Sequence, residues 1–182
     1  SRASLSIFVV ARLSKYIIIS TSILSPQLYQ TSKIYYMVKY RGKEDTMIRF
    51  DRKIETKYLK EDEVLFDIET TGINWYRDSV FLIGYINGKT KIFTQLFSED
   101  GDDKEVLETF RKETKGFNYV TYNGRSFDFP FINTRLEKHN LEKLIINKEY
   151  DLYYEVRVNK KILGIKEHKL TYIEEQFGIK RS

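Results

Sequence analysis

The chain has 182 residues, 41% of them hydrophobic, enough apolar surface to bury the core of one ordinary domain. It contains no cysteine, which excludes disulfides and thiolate zinc sites, suits a reducing cytoplasm, and leaves oxygen or histidine as the only metal ligands. The formal charge of +5 resides in residues 1–46, with seven Lys/Arg against Glu44 and Asp45, while the other 24 basic residues are matched by 24 acidic ones; global charge therefore gives no argument for a polyanionic partner.

The N-terminal stretch "LSIFVVARLSKYIIISTSIL" (5–24) is apolar, but Arg12 and Lys15 interrupt it, so no uncharged run within it approaches the ~20 residues of a membrane helix. No membrane partner is expected. The start "SRASLSIFVVA" imitates a signal peptide loosely, yet nothing downstream reads as secreted. Two readings of residues 1–46 remain: an extra strand or helix on the domain, or sequence outside the native product. The second is preferred, because the chain begins at Ser1 with Met37 and Met47 downstream. The domain is accordingly drawn from residue 47 to 182.

"VLFDIE" (64–69), "SVFLIGYI" (79–86) and "KTKIFTQLF" (89–97) read as strands, the last two joined by Asn87-Gly88, a hairpin signal because both residues tolerate positive φ. "DDKEVLETFRKETKG" (102–116) opens with acids and ends in Lys112, Lys115 and Gly116, matching helix start and stop signals. "NYVTYN" (118–123) is a short strand, and "FPFINTRLEKHN" (129–140) a helix with Pro130 allowed in its first turn. Tyr150 to Val158 and His168 to Phe177 read as further helices. This order predicts an α/β fold: an antiparallel three-strand meander, a parallel neighbour strand, and flanking helices.

Asp67 and Glu69 end an apolar run. In a strand they point to one side, with Cα atoms roughly 7 Å apart. Asp128, in "YNGRSFDFPFI", follows the strand at 118–123 and precedes a helix. A parallel arrangement of the two strands brings the three carboxylates together without sulfur or histidine, a donor set for Mg²⁺ or Mn²⁺. Paired ions about 4 Å apart activate water and stabilise the leaving oxygen in phosphodiester hydrolysis. The other readings are solvated edge residues for Asp67 and Glu69, and a helix N-cap for Asp128.

"FDIETTG" and "YNGRSFDFPFI" resemble the first two motifs of the DEDD 3′–5′ exonucleases of the RNase H-like superfamily. The order "LFDIETTG", "VFLIGYI", "YNGRSFDFPFI", "YDLYYEVR", "ILGIKEHKLTYIEEQFGIKR" resembles the bacterial YprB-like ribonuclease H-like domain over residues 47–182. The resemblance implies an RNase H-like fold and a two-metal nuclease acting on DNA or RNA, with Asp67, Glu69 and Asp128 as catalytic metal ligands. It also implies that Thr70 and Thr71 lie beside the terminal nucleotide and that Asn123 and Phe127 line the substrate side. A turn for the threonines, loop hydrogen bonding for Asn123 and core packing for Phe127 stay open beside it. Asp151 occupies a recurrent acidic position of the group and is read here as a helix cap.

The family's fourth acid, in a late motif with Tyr or His, has no counterpart after Asp128. Glu155, Glu167, Glu174 and Glu175 lie on predicted helices, and His139 and His168 are read as surface histidines. The chain is therefore expected to be C-terminally incomplete, with a catalytically inactive nucleic-acid-binding or scaffolding domain as the alternative function. A polymerase proofreading domain is a third possibility, although no polymerase segment is present.

Overall fold

In the computed structural model, residues 47–98 and 101–176 are described. They form the strands β1 (Met47–Lys53), β2 (Glu63–Thr70), β3 (Val80–Asn87), β4 (Ile92–Ser98), β5 (Asn118–Thr121) and β6 (Glu149–Asp151), with helices α1 (Lys104–Glu113), α2 (Asp128–Lys138), α3 (Leu152–Asn159) and α4 (Leu170–Gln176). The strand order across the sheet is β1-β4-β3-β2-β5-β6. β2, β3 and β4 are the expected antiparallel meander, and β5 lies parallel to β2 with Val64 opposite Tyr119. This is the mixed α/β architecture of an RNase H-like fold.

Two strands escape the sequence reading. β1 pairs antiparallel with β4 from Met47↔Ser98 to Lys53↔Ile92; its charged residues hide the strand pattern, and Arg49 and Asp51 form an ion pair at 2.8 Å on one face of this edge. β6 takes the first residues of the segment predicted as a helix from Tyr150, which begins at Leu152 instead.

The β3–β4 hairpin also corrects its expected chemistry. The left-handed residue is Lys91, at φ 55°, and neither Asn87 nor Gly88 has positive φ. Asn87 closes the turn through its side chain, which accepts from the N–H groups of Lys89 and Thr90 at 2.9 and 3.2 Å. Gly88 is needed for space, since a Cβ there would lie 1.8 Å from the carbonyl oxygen of Lys60.

The core lies on the face of the sheet carrying Val64, Phe66 and Ile68 of β2, under α1 and α2. Phe66 is its centre: its ring meets Phe110, Tyr119 and Phe129 at 5.0, 5.5 and 5.3 Å between centroids. Val106, Leu107 and Phe110, the helical stripe of α1, are fully buried, each contributing about 1.5–3 kcal/mol by burial. Gly116 follows α1 at φ 87° and redirects the chain into β5.

The described residues divide into two compact units, one within residues 47–150 and one within residues 151–176. In the second, Asp151 caps α3 as expected, its side chain accepting from the Tyr153 N–H at 3.0 Å. His168 is half-buried, in edge-to-face contact with Tyr153 at 5.1 Å. Among the described residues no helix is long and apolar enough to cross a membrane; residues 1–46, including the apolar stretch 5–24, lie outside them.

Candidate metal centre

β2 is the strand on which the site is built. Its register pairs Asp67 with Gly84 and Glu69 with Leu82 on β3. Side chains paired across strands share a face, so Gly84 leaves the position beside Asp67 without a side chain. A β-bulge between Glu69 and Thr70 ends the regular pairing just after the second acid, a device that re-aims side chains at strand ends.

On its other side β2 outruns β5, whose pairing ends at Leu65↔Val120. Beyond that point the backbone N–H of Ile68 is taken by a side chain: Asp128 Oδ1 accepts it at 3.2 Å. Ile68 lies between Asp67 and Glu69 in β2, so this bond brings the Asp128 carboxylate to the backbone of the strand that carries the other two acids. Asp128 is buried, at 3% exposure, and begins α2; Asp67 and Glu69 are half-buried. The helix N-cap is Phe127, so the N-cap reading of Asp128 does not apply.

The loop carrying Asp128 into place is tightly specified. Asn123 adopts φ 69°, and its carbonyl accepts from the N–H groups of Ser126 and Phe127 at 3.1 and 3.2 Å. Gly124 packs so closely that a Cβ would come within 2.6 Å of the Thr121 side chain. Phe127 is partly buried against the core and contacts Phe131 at 5.6 Å between centroids. Next to Asp128, Phe129 stacks edge-on against Phe66.

Thr70 and Thr71 build the turn after β2. The Thr70 hydroxyl donates to the Gly72 carbonyl at 2.6 Å, and Thr71 exchanges bonds with Ser79 through its N–H and Oγ1, both at 2.9 Å. These contacts hold the chain beside Glu69 while leaving Thr71 exposed.

A second polar cluster was missed from sequence. Asp103, fully buried, receives Arg135 Nε at 2.7 Å and Nη2 at 2.9 Å, the Val80 N–H at 2.9 Å, and lies 2.6 Å from His139 Nε2. His139 is therefore not a surface histidine. Burial by itself would raise the Asp103 carboxyl, but Arg135, the Val80 N–H and His139 together outweigh it and hold the group below the usual carboxylate range. The available signal was Arg135 itself, which shares the apolar stripe of α2 with Phe131, Ile132 and Leu136; an arginine there requires a buried carboxylate partner.

Among the described residues, the group whose ligand atoms all lie within 4.8 Å of one another is Asp102, Asp103 and His139, not the three predicted acids. It is a poor metal site, because Arg135 already supplies its positive charge and occupies both Asp103 oxygens. The donor chemistry of Asp67, Glu69 and Asp128, three carboxylates with no competing ring nitrogen or thiol, fits hard divalent ions. A two-ion site is also wider than a single-ion cluster, with the ions about 4 Å apart.

Comparison with known proteins agrees with the fold. DNA polymerase III PolC-type from Mycoplasma pneumoniae is 33% identical over 150 aligned residues, covering 65% of this chain and 10% of that protein. The uncharacterized protein YprB of Bacillus subtilis is 29% identical, covering 68% of this chain and 32% of YprB. The chain thus spans about a tenth of one relative and a third of the other. E. coli Exonuclease I has the same fold over 66% of this chain and 36% of that one, at 13% identity and a TM-score of 0.54. The RNase_H superfamily model matches residues 64–182, a stretch that takes in β2, the Asn123–Phe127 loop and α2, and the chain belongs to that superfamily.

Proposed function

We propose that this chain is a nuclease domain that hydrolyses phosphodiester bonds of nucleic acid with divalent metal ions, removing nucleotides from a 3′ end. The observation that carries the reading is the Asp128 carboxylate hydrogen-bonded to Ile68 between Asp67 and Glu69. The relatives support it, being DNA polymerases and a protein solved as Exonuclease I with a dT13 oligonucleotide.

In this reading Asp67, Glu69 and Asp128 hold two Mg²⁺ or Mn²⁺ ions. Such ions supply an activated water and stabilise the departing 3′ oxygen. The protein's part is positional. Asp128 is fixed by the Ile68 N–H and the Phe129 anchor, so its carboxylate needs no reordering when substrate arrives. Thr70 and Thr71 flank the terminal nucleotide, and Asn123 and Phe127 bound the substrate side. The lack of cysteine suits the reducing cytoplasm, where the proposal places the protein.

The test uses single-stranded DNA and RNA labelled at either end, incubated with the chain and Mg²⁺ or Mn²⁺, with Asp67→Ala as control. Metal-dependent shortening from the 3′ end that the variant lacks supports the proposal. Tight binding without cleavage by either protein would instead identify a binding or scaffolding domain.

A further inference from the structure

The nine residues between β2 and β3 form a small loop that is held rigid yet presents an aromatic ring to solvent. Its frame is a set of short-range bonds. Asn74 Oδ1 accepts from the N–H groups of Tyr76 and Arg77 at 3.0 and 3.2 Å, the Asn74 carbonyl accepts from Asp78 at 2.7 Å, and Asp78 Oδ2 accepts from the Asn74 N–H at 2.7 Å. A Cβ on Gly72 would lie 2.3 Å from Asp78 Oδ2, so a side chain there would displace the carboxylate that holds the Asn74 N–H. Trp75 anchors it to the core from below.

Out of this frame stands Tyr76, 70% exposed, with Arg77 exposed beside it. An aromatic ring of that size is normally placed where it can bury its faces. Here it is held in water on a loop that is already ordered, so a flat partner binds without the cost of ordering the loop. The loop leaves β2 directly after Glu69 and Thr70, and Thr71 is its first residue. Exposed aromatic rings next to an arginine match the needs of single-stranded nucleic acid, whose bases stack on rings irrespective of sequence and whose phosphates take the cation.

We propose that Tyr76 and Arg77 form a nucleotide subsite: the Tyr76 ring stacks on one unpaired base and Arg77 contacts a neighbouring phosphate. The ligand is a single-stranded oligonucleotide. This subsite rests on the nuclease reading for its ligand, and it makes sequence-tolerant stacking, rather than base-edge hydrogen bonding, the means of holding the strand.

The chain carries its own reporter, because its single tryptophan is Trp75, adjacent to the stacking residue. The experiment titrates a labelled oligothymidylate into the 182-residue chain in EDTA, reading label anisotropy and Trp75 emission, in parallel with a metal-supplemented cleavage assay. Tyr76→Ala is expected to weaken binding roughly 5- to 150-fold, the range measured for loss of one base–aromatic stack, and Tyr76→Phe to bind like the unaltered chain. Arg77→Gln is expected to lower the slope of log K against log salt by about 0.7, the contribution of one phosphate on a single strand. Tyr76→Ala binding as tightly as the unaltered chain, or Tyr76→Phe as weak as Tyr76→Ala, would overturn the subsite while leaving cleavage intact. An unaltered chain that neither binds nor cleaves would overturn the nuclease reading and the subsite with it.

Discussion

The rings of Phe66 and Phe129 meet edge to face with centroids 5.3 Å apart, and each is the chain neighbour of an acid, Asp67 on β2 and Asp128 on α2. Side chains alternate across a strand, so the ring of Phe66 enters the core while Asp67 faces the other way. The packing that stabilises the domain therefore also holds the start of α2, and with it Asp128, against β2. Phe129→Ala removes a nearly buried ring and is expected to cost about 3–5 kcal/mol, measured by denaturant unfolding. Phe129→Leu retains most of the fold but lets α2 shift, so its loss of cleavage should exceed its loss of stability.

Asp128 combines a structural role with the proposed catalytic one, and two substitutions separate them. Asp128→Asn keeps an oxygen for the Ile68 N–H but loses the charge; cleavage should fall by more than ~100-fold, the upper end of what is lost when only a group behind a metal ligand is removed. Its thermal midpoint should change little. Asp128→Ala also leaves a buried N–H without its acceptor and should lose a further ~1–3 kcal/mol. An active Asp128→Asn protein would remove this residue from the ligand set.

The Asp103–Arg135 pair predicts an asymmetry in mutagenesis and in pH. Arg135→Met leaves Asp103 as a buried charge and should destabilise by about 3–5 kcal/mol, while adding Asp103→Asn to the same chain should restore part of that loss. Because the folded Asp103 carboxyl lies below its unfolded value of about 3.9, its contribution is complete above that pH and disappears as pH falls through the folded value. Asp103→Asn should therefore be less stable near neutrality and show a flatter decline below about pH 4. Denaturant midpoints measured across pH 2–7 test the sign.

Metal binding has a readout that does not depend on cleavage. An ion that binds only the folded state adds RT ln(1 + [L]/Kd), about 2.7 kcal/mol at a hundredfold excess over Kd. Mg²⁺ or Mn²⁺ should raise the thermal midpoint of the unaltered chain and of Asp103→Asn, but not of Asp67→Ala. A rise that survives in Asp67→Ala would move the ion away from β2. A rise lost in Asp103→Asn would point to Asp102, Asp103 and His139 instead.

Much of this was legible because it is local. The period-two alternation of "VLFDIE" sets Asp67 and Glu69 on one side of a strand, and the 3.6-residue stripe of α1 sets Val106, Leu107 and Phe110 together. The Asp151 cap is local too, spanning two residues. The reading failed where the deciding partner is remote. β1 is recognisable only against β4, whose paired residues lie 39 to 51 positions later. His139 and Arg135 look like helix-end and helix-face residues until Asp103, 36 and 32 residues earlier, is brought to them. Gly88 was read for its backbone freedom, whereas its need is the nearby Lys60 carbonyl.

By itself the sequence determined the type and order of most elements, the facing of the two β2 acids and the chemistry of three carboxylates, since those follow from backbone periodicity and side-chain type. Only the tertiary structure decided that Asp128 meets β2 at Ile68, that Phe66 and Phe129 lock it there, and that Asp103 belongs to Arg135 instead of capping its own helix. A hydrogen bond or an ion pair across 32 to 60 residues depends on how strands and helices stack, and that is set by the summed burial of the core rather than by any local pattern.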